Sequence, residues 1–424
     1  MNREKRIPSP FVSLLPILLL VGMLFATIHT FGSDALSGGS QISLLVTTAA
    51  CAFIGVAFYR IPWRDYEIAI TNNISGVATA IIILLIIGAL SGAWMISGVV
   101  PALIYYGMQI LHPDFFLAST CLICVIISVM TGSSWTTIAT IGIALLGIGK
   151  AQGFNEGWIA GAIISGAYFG DKVSPLSETT ILAASVTETP LFRHIKYMMI
   201  TTIPSLVISL ILFTVMGLTH DTGGTEQISE ISAALDSKFN ITPWLLIVPI
   251  VTGILIARKV PSIITLFAST LLAGLFALIF QPDLLREIAG NGSLFKGCMM
   301  TFYGSTSLQT DNAMLTELVA TRGMGGMMNT VWLILCAMCF GGAMTASGML
   351  GSITSVFVRF MKNTFSMVTS TVASGLFLNL ATADQYISII LTGNMFGNIY
   401  KKRGYESRLL SRTTEDAVTV TSPL

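Results

Sequence analysis

A succession of apolar stretches, most of them close to the length that crosses a bilayer, constrains this chain more than any other feature. A membrane-spanning helix needs about 20 predominantly apolar residues. The stretches are Phe11–Ile28, Ile42–Tyr59, Ala78–Ile96, Phe116–Met130, Met198–Leu218, Trp244–Ala257, Ile263–Phe280, Val331–Met344 and Met367–Leu380. Only 10% of the residues are charged, against about 25% in soluble domains. The sequence therefore predicts an all-α polytopic protein of the lipid bilayer.

The distribution of charge excludes one class of partner and orients the chain. The formal net charge is +1, so there is no basic field that would bind nucleic acid. Lys and Arg concentrate on the cytoplasmic side of membrane proteins, so "MNREKR" predicts a cytoplasmic N-terminus. The mostly acidic stretch Thr219–Asn240 is predicted to lie outside and to contain a short surface helix.

The second half of the chain repeats the first at a nearly constant offset. "GAWMISG" (Gly92–Gly98) matches "GAMTASG" (Gly342–Gly348), and "TGSSWTTIATIG" (Thr131–Gly142) matches "TADQYISIILTG" (Thr382–Gly393). "SPL" at Ser174–Leu176 recurs at Ser422–Leu424. The segments that flank the first polar tip are nearly free of positive charge, whereas those that flank the second are basic. By the positive-inside rule, the two repeats should have inverted topology.

These observations predict a division of the chain into four parts. Residues 1–65 form N-terminal transmembrane helices, and residues 66–216 form the first repeat. Residues 217–315 connect the repeats through an outside loop at 219–240 and scaffold helices. Residues 316–424 form the second repeat. Each repeat should hold a re-entrant hairpin, with tips at 131–137 and 379–385, and a broken helix, at 170–180 and near 414–424.

The stretch "GDKVSPLSETT" (Gly170–Thr180) places three charges and a proline between two apolar segments. We expect Gly170 and Pro175 to break a helix there. Broken backbone inside a membrane costs several kcal/mol unless it lines a cavity or site, and a charged group adds roughly 2.5–3.5 kcal/mol. An ion site offsets both costs, because freed carbonyls, hydroxyls and carboxylates become its ligands.

Polar tips accompany both predicted breaks. "TGSSWTT" (Thr131–Thr137) lies between apolar arms of about 12–15 residues, which are short for a full crossing. In the second repeat, "NLATADQ" (Asn379–Gln385) takes the tip position and carries Asp384. "TEDAVTVTSPL" (Thr414–Leu424) takes the break position and carries Glu415 and Asp416. A plain polar turn does not account for Asp384, because no Lys or Arg is near it in the sequence.

"SGAYFGDKVSPLSETTILAASV" resembles the signature of NhaC-type sodium/proton antiporters, a family that also includes sodium-linked malate/lactate antiporters. "EDAVTVTSPL" resembles the second-repeat motif of that family, in which the chain continues into another helix, so the C-terminus is expected to be truncated here. The resemblance covers essentially the whole chain. It implies a bacterial inner-membrane protein whose transport domain moves against a scaffold, with no cofactor and Na⁺ and H⁺ as partners. The oligomeric state stays open, a homodimer included.

Residue chemistry then predicts the ion ligands. Na⁺ is a hard cation that prefers oxygen ligands, and a carboxylate that holds Na⁺ can bind H⁺ instead, so competition for one site produces exchange. The predicted ligands in the first repeat are Ser133, Ser134, Thr136, Asp171, Ser174, Ser177, Glu178 and Thr180. Those in the second repeat are Asn379, Thr382, Asp384, Asp416, Thr421 and Ser422. Lys172 could pair with Asp171 or Glu178, or extend to the interface.

Three functions stay open on the sequence. Sodium/proton antiport is favoured. Exchange of organic acids such as malate or lactate, coupled to Na⁺ and H⁺, is the alternative, since hydroxyl-rich tips suit a carboxylate as well as an ion. Against it, the tips and the Gly170–Thr180 break contain no Arg, the usual clamp for a carboxylate. The third is an intramembrane hydrolase that uses Lys172 with Ser174 or Ser177 as nucleophile. A duplicated site is expected of a transporter and not of such an enzyme.

Overall fold

The computed structural model describes residues 8–175, 177–219, 225–258, 260–290, 292–306, 308, 316, 319–382 and 385–421. Within these residues, eight helices are long and apolar enough to cross a membrane by length and composition. They are Pro10–Phe31, Gly39–Tyr59, Trp63–Ile96, Pro113–Met130, Ser134–Ala151, Leu191–Thr219, Ser262–Phe280 and Gly323–Ala346. The predicted polytopic helical membrane protein is confirmed.

Twenty α-helices follow one another along the described residues. In the first half they are α1 (Pro10–Phe31), α2 (Gly39–Tyr59), α3 (Trp63–Ile96), α4 (Val99–Ile110), α5 (Phe116–Thr131), α6 (Ser134–Thr137), α7 (Ile143–Ala151), α8 (Glu156–Val173), α9 (Glu178–Val186) and α10 (Leu191–Thr219). Then come α11 (Thr225–Lys238), α12 (Ile247–Ala257), α13 (Ser262–Phe280), α14 (Pro282–Ile288), α15 (Leu294–Tyr303), α16 (Gly323–Ala346), α17 (Met349–Arg359), α18 (Thr364–Thr382), α19 (Gln385–Lys402) and α20 (Ser407–Val418). A π-helical turn, Ile138–Gly142, joins α6 to α7.

The chain forms two compact units. The first comprises residues 1–81, 179–197 and 329–424, and the second comprises residues 82–178 and 198–328. Cys51, Tyr66, Phe340 and Met344 are central to the core of the first unit. Trp94, Phe116, Leu145 and Leu266 belong to the core of the second. Each core is built from the apolar faces of several helices, because a single helix cannot bury its own apolar stripe.

The same order of helices occurs twice, once in each unit. The helix α5 ends at Thr131 and α6 begins at Ser134, while α18 ends at Thr382 and α19 begins at Gln385, which is an offset of 251 residues. The offset also relates the ends of α7 and α19, Ala151 and Lys402, and the starts of α8 and α20, Glu156 and Ser407. The repeat that the sequence indicates is thus also a repeat of secondary structure.

Glycines in left-handed conformation end corresponding helices in the two repeats. Gly98 (φ 82°) follows α3 and Gly348 (φ 70°) follows α16, while Gly153 (φ 82°) and Gly404 (φ 78°) precede α8 and α20. Residues with a Cβ are strained at such φ values, whereas glycine is not. These turns give both repeats the same chain path.

The predicted length of the arms in the first repeat is wrong. The arms beside the 131–137 tip are Pro113–Met130 and Ser134–Ala151, 18 residues each, and not about 12–15. The first arm gains length from a 3-10 turn, Pro113–Phe115, that precedes α5. The second continues through the π-helical turn. Because both arms are long enough to span, re-entry of the hairpin stays a prediction, and so does the entry of the two tips from opposite faces.

Candidate functional site

The first polar tip is a helix break stabilised by its own hydroxyl groups. Gly132 adopts a left-handed conformation (φ 69°) at the end of α5. Ser133 then caps α6, accepting a hydrogen bond from the Thr136 N–H at 3.2 Å. The Thr136 hydroxyl lies 3.2 Å from Ser133 Oγ and 3.0 Å from Ser262 Oγ. Ser and Gly at this position therefore turn the chain while a serine hydroxyl accepts from an N–H of the first turn of α6, as a capping residue does.

Asp171 is held at this tip from the last turn of α8. Its side chain is 6% exposed, and Ser134 donates its hydroxyl proton to Asp171 Oδ2. The Ser134 N–H and the Ser177 hydroxyl also hydrogen-bond to the Asp171 carboxyl. A buried carboxylate is tolerated when it is paired or hydrogen-bonded, and here the polar tip supplies the donors. The structure thus brings together Ser134, Asp171 and Ser177, which the sequence predicted as ligands.

The helix that carries Asp171 ends because of Pro175 and not because of Gly170. The helix α8 continues through Gly170 to Val173. A Cβ on Gly170 would overlap the backbone and hydroxyl of Ser128 on α5, so this glycine permits close helix packing. Pro175 disfavours helical backbone at Ser174, which is extended (φ −76°, ψ 130°). The prediction that Gly170 breaks the helix was therefore wrong.

The remaining predicted ligands of the break differ in burial. Ser174 is buried, and its hydroxyl donates to Val129 O at 2.9 Å. Glu178 is exposed at the start of α9, although its charge acts on Asp171. Thr180 is buried, and it lies one turn before Ala183, which packs against Ala417 and Val418 of the first unit. Thr180 therefore belongs with the second repeat.

In the second repeat, the structure brings together Asn379 and Thr421. Asn379 donates from Nδ2 to Val418 O at 2.7 Å and to Thr421 Oγ1 at 2.9 Å. The Asp416 carboxylate lies 4.0 Å from Arg412 on the same helix. Asp384, Ser422 and the side chain of Thr382 lie outside the described residues.

Sequence reasoning left one fully buried acid out of the ligand set. Glu415 is 0% exposed, although the sequence placed it beside Asp416 without distinguishing the two. Ser411, one turn earlier on α20, is hydrogen-bonded to His194 Nδ1. Residues at spacing i, i+4 share a helix face, so the covered face that includes Ser411 also includes Glu415. A helical-wheel reading of α20 would have separated Glu415 from Asp416.

A protein-family model matches the part of the chain that contains both predicted breaks. The model of the Na⁺/H⁺ antiporter family matches residues 166–424, which include the Asp171 break and the whole second repeat. The chain belongs to the Na⁺/H⁺ antiporter family. The predicted family resemblance is confirmed.

Relatives of this chain bear different names at similar identity. The Na(+)/H(+) antiporter NhaC of Bacillus subtilis is 35% identical over 90% of this chain and 82% of its own length. The malate-2H(+)/Na(+)-lactate antiporter of the same organism is 34% identical over 99% of this chain and 87% of its own. The arginine/ornithine antiporter ArcD of Halobacterium salinarum is 32% identical over 99% and 84%. These relatives are named as antiporters.

Proposed function

We propose that this multi-pass membrane protein exchanges Na⁺ for H⁺ across the bacterial cell membrane, with its N-terminus in the cytoplasm. The observation that carries the proposal is Asp171, a buried carboxylate at the end of an interrupted helix, hydrogen-bonded by the polar tip. The names of NhaC relatives and of the family support Na⁺ and H⁺ as the transported ions.

The exchange follows from competition for one carboxylate. An ionised Asp171 can hold Na⁺, and a protonated Asp171 cannot. In the structure, the Ser134 hydroxyl donates its proton to Asp171 Oδ2. On cation binding, the same hydroxyl can rotate and present a lone pair to the ion, since a serine hydroxyl is both donor and acceptor. Na⁺ that binds Asp171 from one side of the membrane is then displaced by H⁺ when the site faces the other side. No covalent chemistry is needed.

The position of Asp171 favours a cation for a second reason. The C-terminal end of a helix carries a partial negative charge from its unpaired carbonyl groups, and ends of interrupted helices bind cations in secondary transporters. Asp171 lies in the last turn of α8, two residues before its end. Ser133, Ser174 and Ser177 are the oxygen-bearing neighbours that we propose to complete the shell, together with Ser134 and Thr136.

Alternation between the two sides requires movement of the site. We propose that the two repeats have inverted topology, and that a hairpin-bearing transport domain moves against a scaffold. The constant offset of 251 residues between corresponding helices supports two equivalent halves. Inverted repeats that meet near the bilayer midplane are a common architecture for such movement.

Exchange of an organic acid coupled to Na⁺ and H⁺ is the second candidate. It is favoured by the malate/lactate relative, whose identity to this chain, 34%, is close to that of NhaC. The tip at Gly132–Thr137 offers hydroxyl and N–H donors to a carboxylate. It offers no Arg, the residue best suited to bind a carboxylate with two parallel hydrogen bonds.

Transport in proteoliposomes tests the proposal. Interior pH and ²²Na⁺ are followed with and without malate or lactate, for wild type, Asp171→Asn and a control. An amide can ligate but cannot carry a proton, so Asp171→Asn should abolish Na⁺-dependent proton movement. The matched control is Asp283→Asn, because the Asp283 side chain is 91% exposed and should tolerate the change.

Two results would change the proposal. Near-normal exchange by well-inserted Asp171→Asn would assign the carrier role elsewhere, with Glu178 as the next carboxylate to test. Proton movement that needs both Na⁺ and an added organic acid would favour the second candidate over simple cation exchange.

A further inference from the structure

We infer that three sulfur atoms in the core of the first unit form a binding site for a soft monovalent metal ion, Cu⁺. The sulfurs belong to Cys51 of α2, to Met344 near the end of α16 and to Met349 at the start of α17. The site uses none of the residues proposed for Na⁺ exchange, so the two proposals are tested separately.

The thiol of Cys51 lies against both thioethers. Cys51 Sγ is 3.7 Å from Met344 Sδ and 3.6 Å from Met349 Sδ. All three side chains are 0% exposed. Taking about 2.3 Å for a metal–sulfur bond, as in zinc sites, three sulfurs around one ion lie about 4 Å apart. Because methionine side chains are flexible, a small shift of the two thioethers is enough to admit an ion.

A glycine turn brings the two methionines to the same thiol. Gly348 has a left-handed conformation (φ 70°) between α16 and α17, and Met344 and Met349 reach Cys51 from the two sides of this turn. Ser347 stabilises the turn, since its hydroxyl donates to Met344 O at 3.0 Å. The Ser347 Oγ is itself 3.6 Å from Cys51 Sγ. The turn thus presents its sulfurs to a residue 293 and 298 positions away.

Helix packing alone does not require sulfur at these positions. In the repeated motif of the first half, Met344 corresponds to Trp94, which donates to Ser269 Oγ at 3.0 Å. Met349 corresponds to Val99, which packs in the apolar core of the second unit. Buried apolar positions accept other side chains of suitable volume. The convergence of a thiol and two thioethers on one point therefore indicates a ligand set.

Charge selects a monovalent ion for this site. Thiolate and thioether sulfurs bind soft ions such as Cu⁺, and Cys51 lies inside a membrane-spanning helix, where an uncompensated charge is costly. On binding, the S–H bond of Cys51 breaks, an S–Cu bond forms and the proton passes to the solvent, while copper stays in the +1 state. One thiolate and two neutral thioethers then give a complex without net charge. Zn²⁺ in the same place would leave a buried positive charge.

The surroundings of the thiol supply a hydrogen-bond donor and a cavity. The Tyr66 hydroxyl of α3 is buried without a hydrogen-bond partner among the described residues and lies within electrostatic range of Cys51. A Cβ on Gly55, one turn after Cys51 on α2, would overlap this hydroxyl. Donors beside a metal ligand tune its strength. The cavity lies between α2, α3 and α16 and is lined by Tyr66, Ala52 and Ala343, and it is the route of approach that we assign to the ion.

Copper binding to the purified full chain tests the inference. Cu⁺ is supplied under exclusion of oxygen as a coloured chelator complex, and the loss of colour gives the number of ions bound and the dissociation constant. Wild type should bind one more Cu⁺ than Cys51→Ser, which nearly keeps the size of the side chain but removes the thiolate. Cys298→Ser changes another buried cysteine and is the matched control, so it should bind like wild type. Equal numbers of bound ions in wild type and Cys51→Ser would overturn the inference.

Two methionine variants distinguish a site of three sulfurs from a lone thiol. Met344→Leu and Met349→Leu remove a sulfur but nearly keep the volume, so the fold should persist, which thermal unfolding without Cu⁺ checks. Each should weaken Cu⁺ binding roughly tenfold or more, the scale on which lost metal-site groups act. Met338→Leu, at a methionine buried in the same core, should keep the wild-type dissociation constant. Wild-type affinity in both Met344→Leu and Met349→Leu would contradict the three-sulfur site.

Competition with Na⁺ separates this site from the proposed exchange site. Na⁺ prefers oxygen ligands, so a large excess of Na⁺ should leave the Cys51-dependent Cu⁺ binding unchanged. Its displacement by Na⁺ would overturn the assignment of a soft-metal site. Cu⁺ should also raise the melting temperature of wild type more than that of Cys51→Ser, because an ion that binds the folded state stabilises it. An equal rise in the two proteins would count against the site.

Discussion

The contact between α5 and α8 and the contact between α18 and α20 occupy the same place in the two repeats but use different chemistry. Ser128 and Gly170 meet in the first contact, and Asn379 and Thr421, each 251 residues later, meet in the second. Ser128 donates to Ala167 O, and Asn379 donates to Val418 O, again at the same offset. The geometry is conserved between the halves, while glycine packing in one is replaced by a side-chain hydrogen bond in the other.

This difference indicates that the two halves of the chain pack their corresponding helices in different ways. Without a Cβ at Gly166 and Gly170, α8 approaches α5 closely, as small residues allow in membrane helices. Ala417 and Thr421 stand at the corresponding positions of α20, and Thr421 is hydrogen-bonded by Asn379 of α18. A duplicated fold can thus keep its chain path while each half evolves its own polar interior. The following substitutions test this difference between the two contacts.

The largest effect on stability is expected from Gly170→Ala. The added methyl would overlap the Ser128 backbone, and overpacking of this kind costs up to about 3 kcal/mol. Thermal unfolding in detergent should show a clear loss of stability. Gly161→Ala on the same helix is the matched control, because its nearest neighbour, Phe213, is 4.0 Å away. Equal stability of the two variants would contradict the close-packing role of Gly170.

A smaller loss is expected from Ile163→Thr, which gives the first repeat the residue of the second. Ile163 is buried in the core of the second unit, so the variant loses apolar contacts and buries a hydroxyl, at about 2 kcal/mol. Ile164→Thr, at an exposed neighbour, should change the melting temperature little. If Ile163→Thr were as stable as wild type, the apolar character of this half would not be a structural requirement.

Asn379→Ala should cost less, about 1 kcal/mol, the scale of hydrogen bonds between membrane helices. The variant loses the bonds to Val418 O and Thr421. Ser128→Ala removes the corresponding bond of the first repeat and serves as the comparison in the same melting assay. A greater loss for Ser128→Ala than for Asn379→Ala would reverse the view that the second contact depends more on side-chain hydrogen bonds.

The smallest effect on stability is expected from Asp384→Asn. The amide has nearly the shape of the carboxylate, so the free energy of unfolding should change by about 0.5 kcal/mol or less. If Asp384 belongs to the transport site, the variant should instead weaken the protection that Na⁺ gives against thermal unfolding. Asp384→Ser, which supplies the residue found at Ser133 in the first tip, gives the comparison. An unchanged Na⁺-induced shift, with unchanged transport, would remove Asp384 from the site.

Much of the architecture was predictable because it depends on local composition. An apolar stretch of about 20 residues in a bilayer forms a helix, because the helix pairs its backbone N–H and C=O groups internally. The helices α1, α2, α10 and α13 follow such stretches closely. The repeat and the polar tips were also readable, since the Gly98 and Gly348 segments and the Thr131 and Thr382 segments recur at a nearly constant offset. The interruption near Pro175 followed from the covalent structure of proline.

Contacts between helix faces were not predictable in the same way. Gly170 could be read as a helix breaker until Ser128 was seen against it, since a glycine has the same local propensity in both roles. Glu415 and Asp416 are adjacent in sequence but lie about 100° apart around α20. Burial of one and ion pairing of the other depend on which face is covered, by Ser411 with His194 and by Ala417 with Ala183. These pairings join residues more than 200 positions apart, so only the packed tertiary structure selects the acid that is buried.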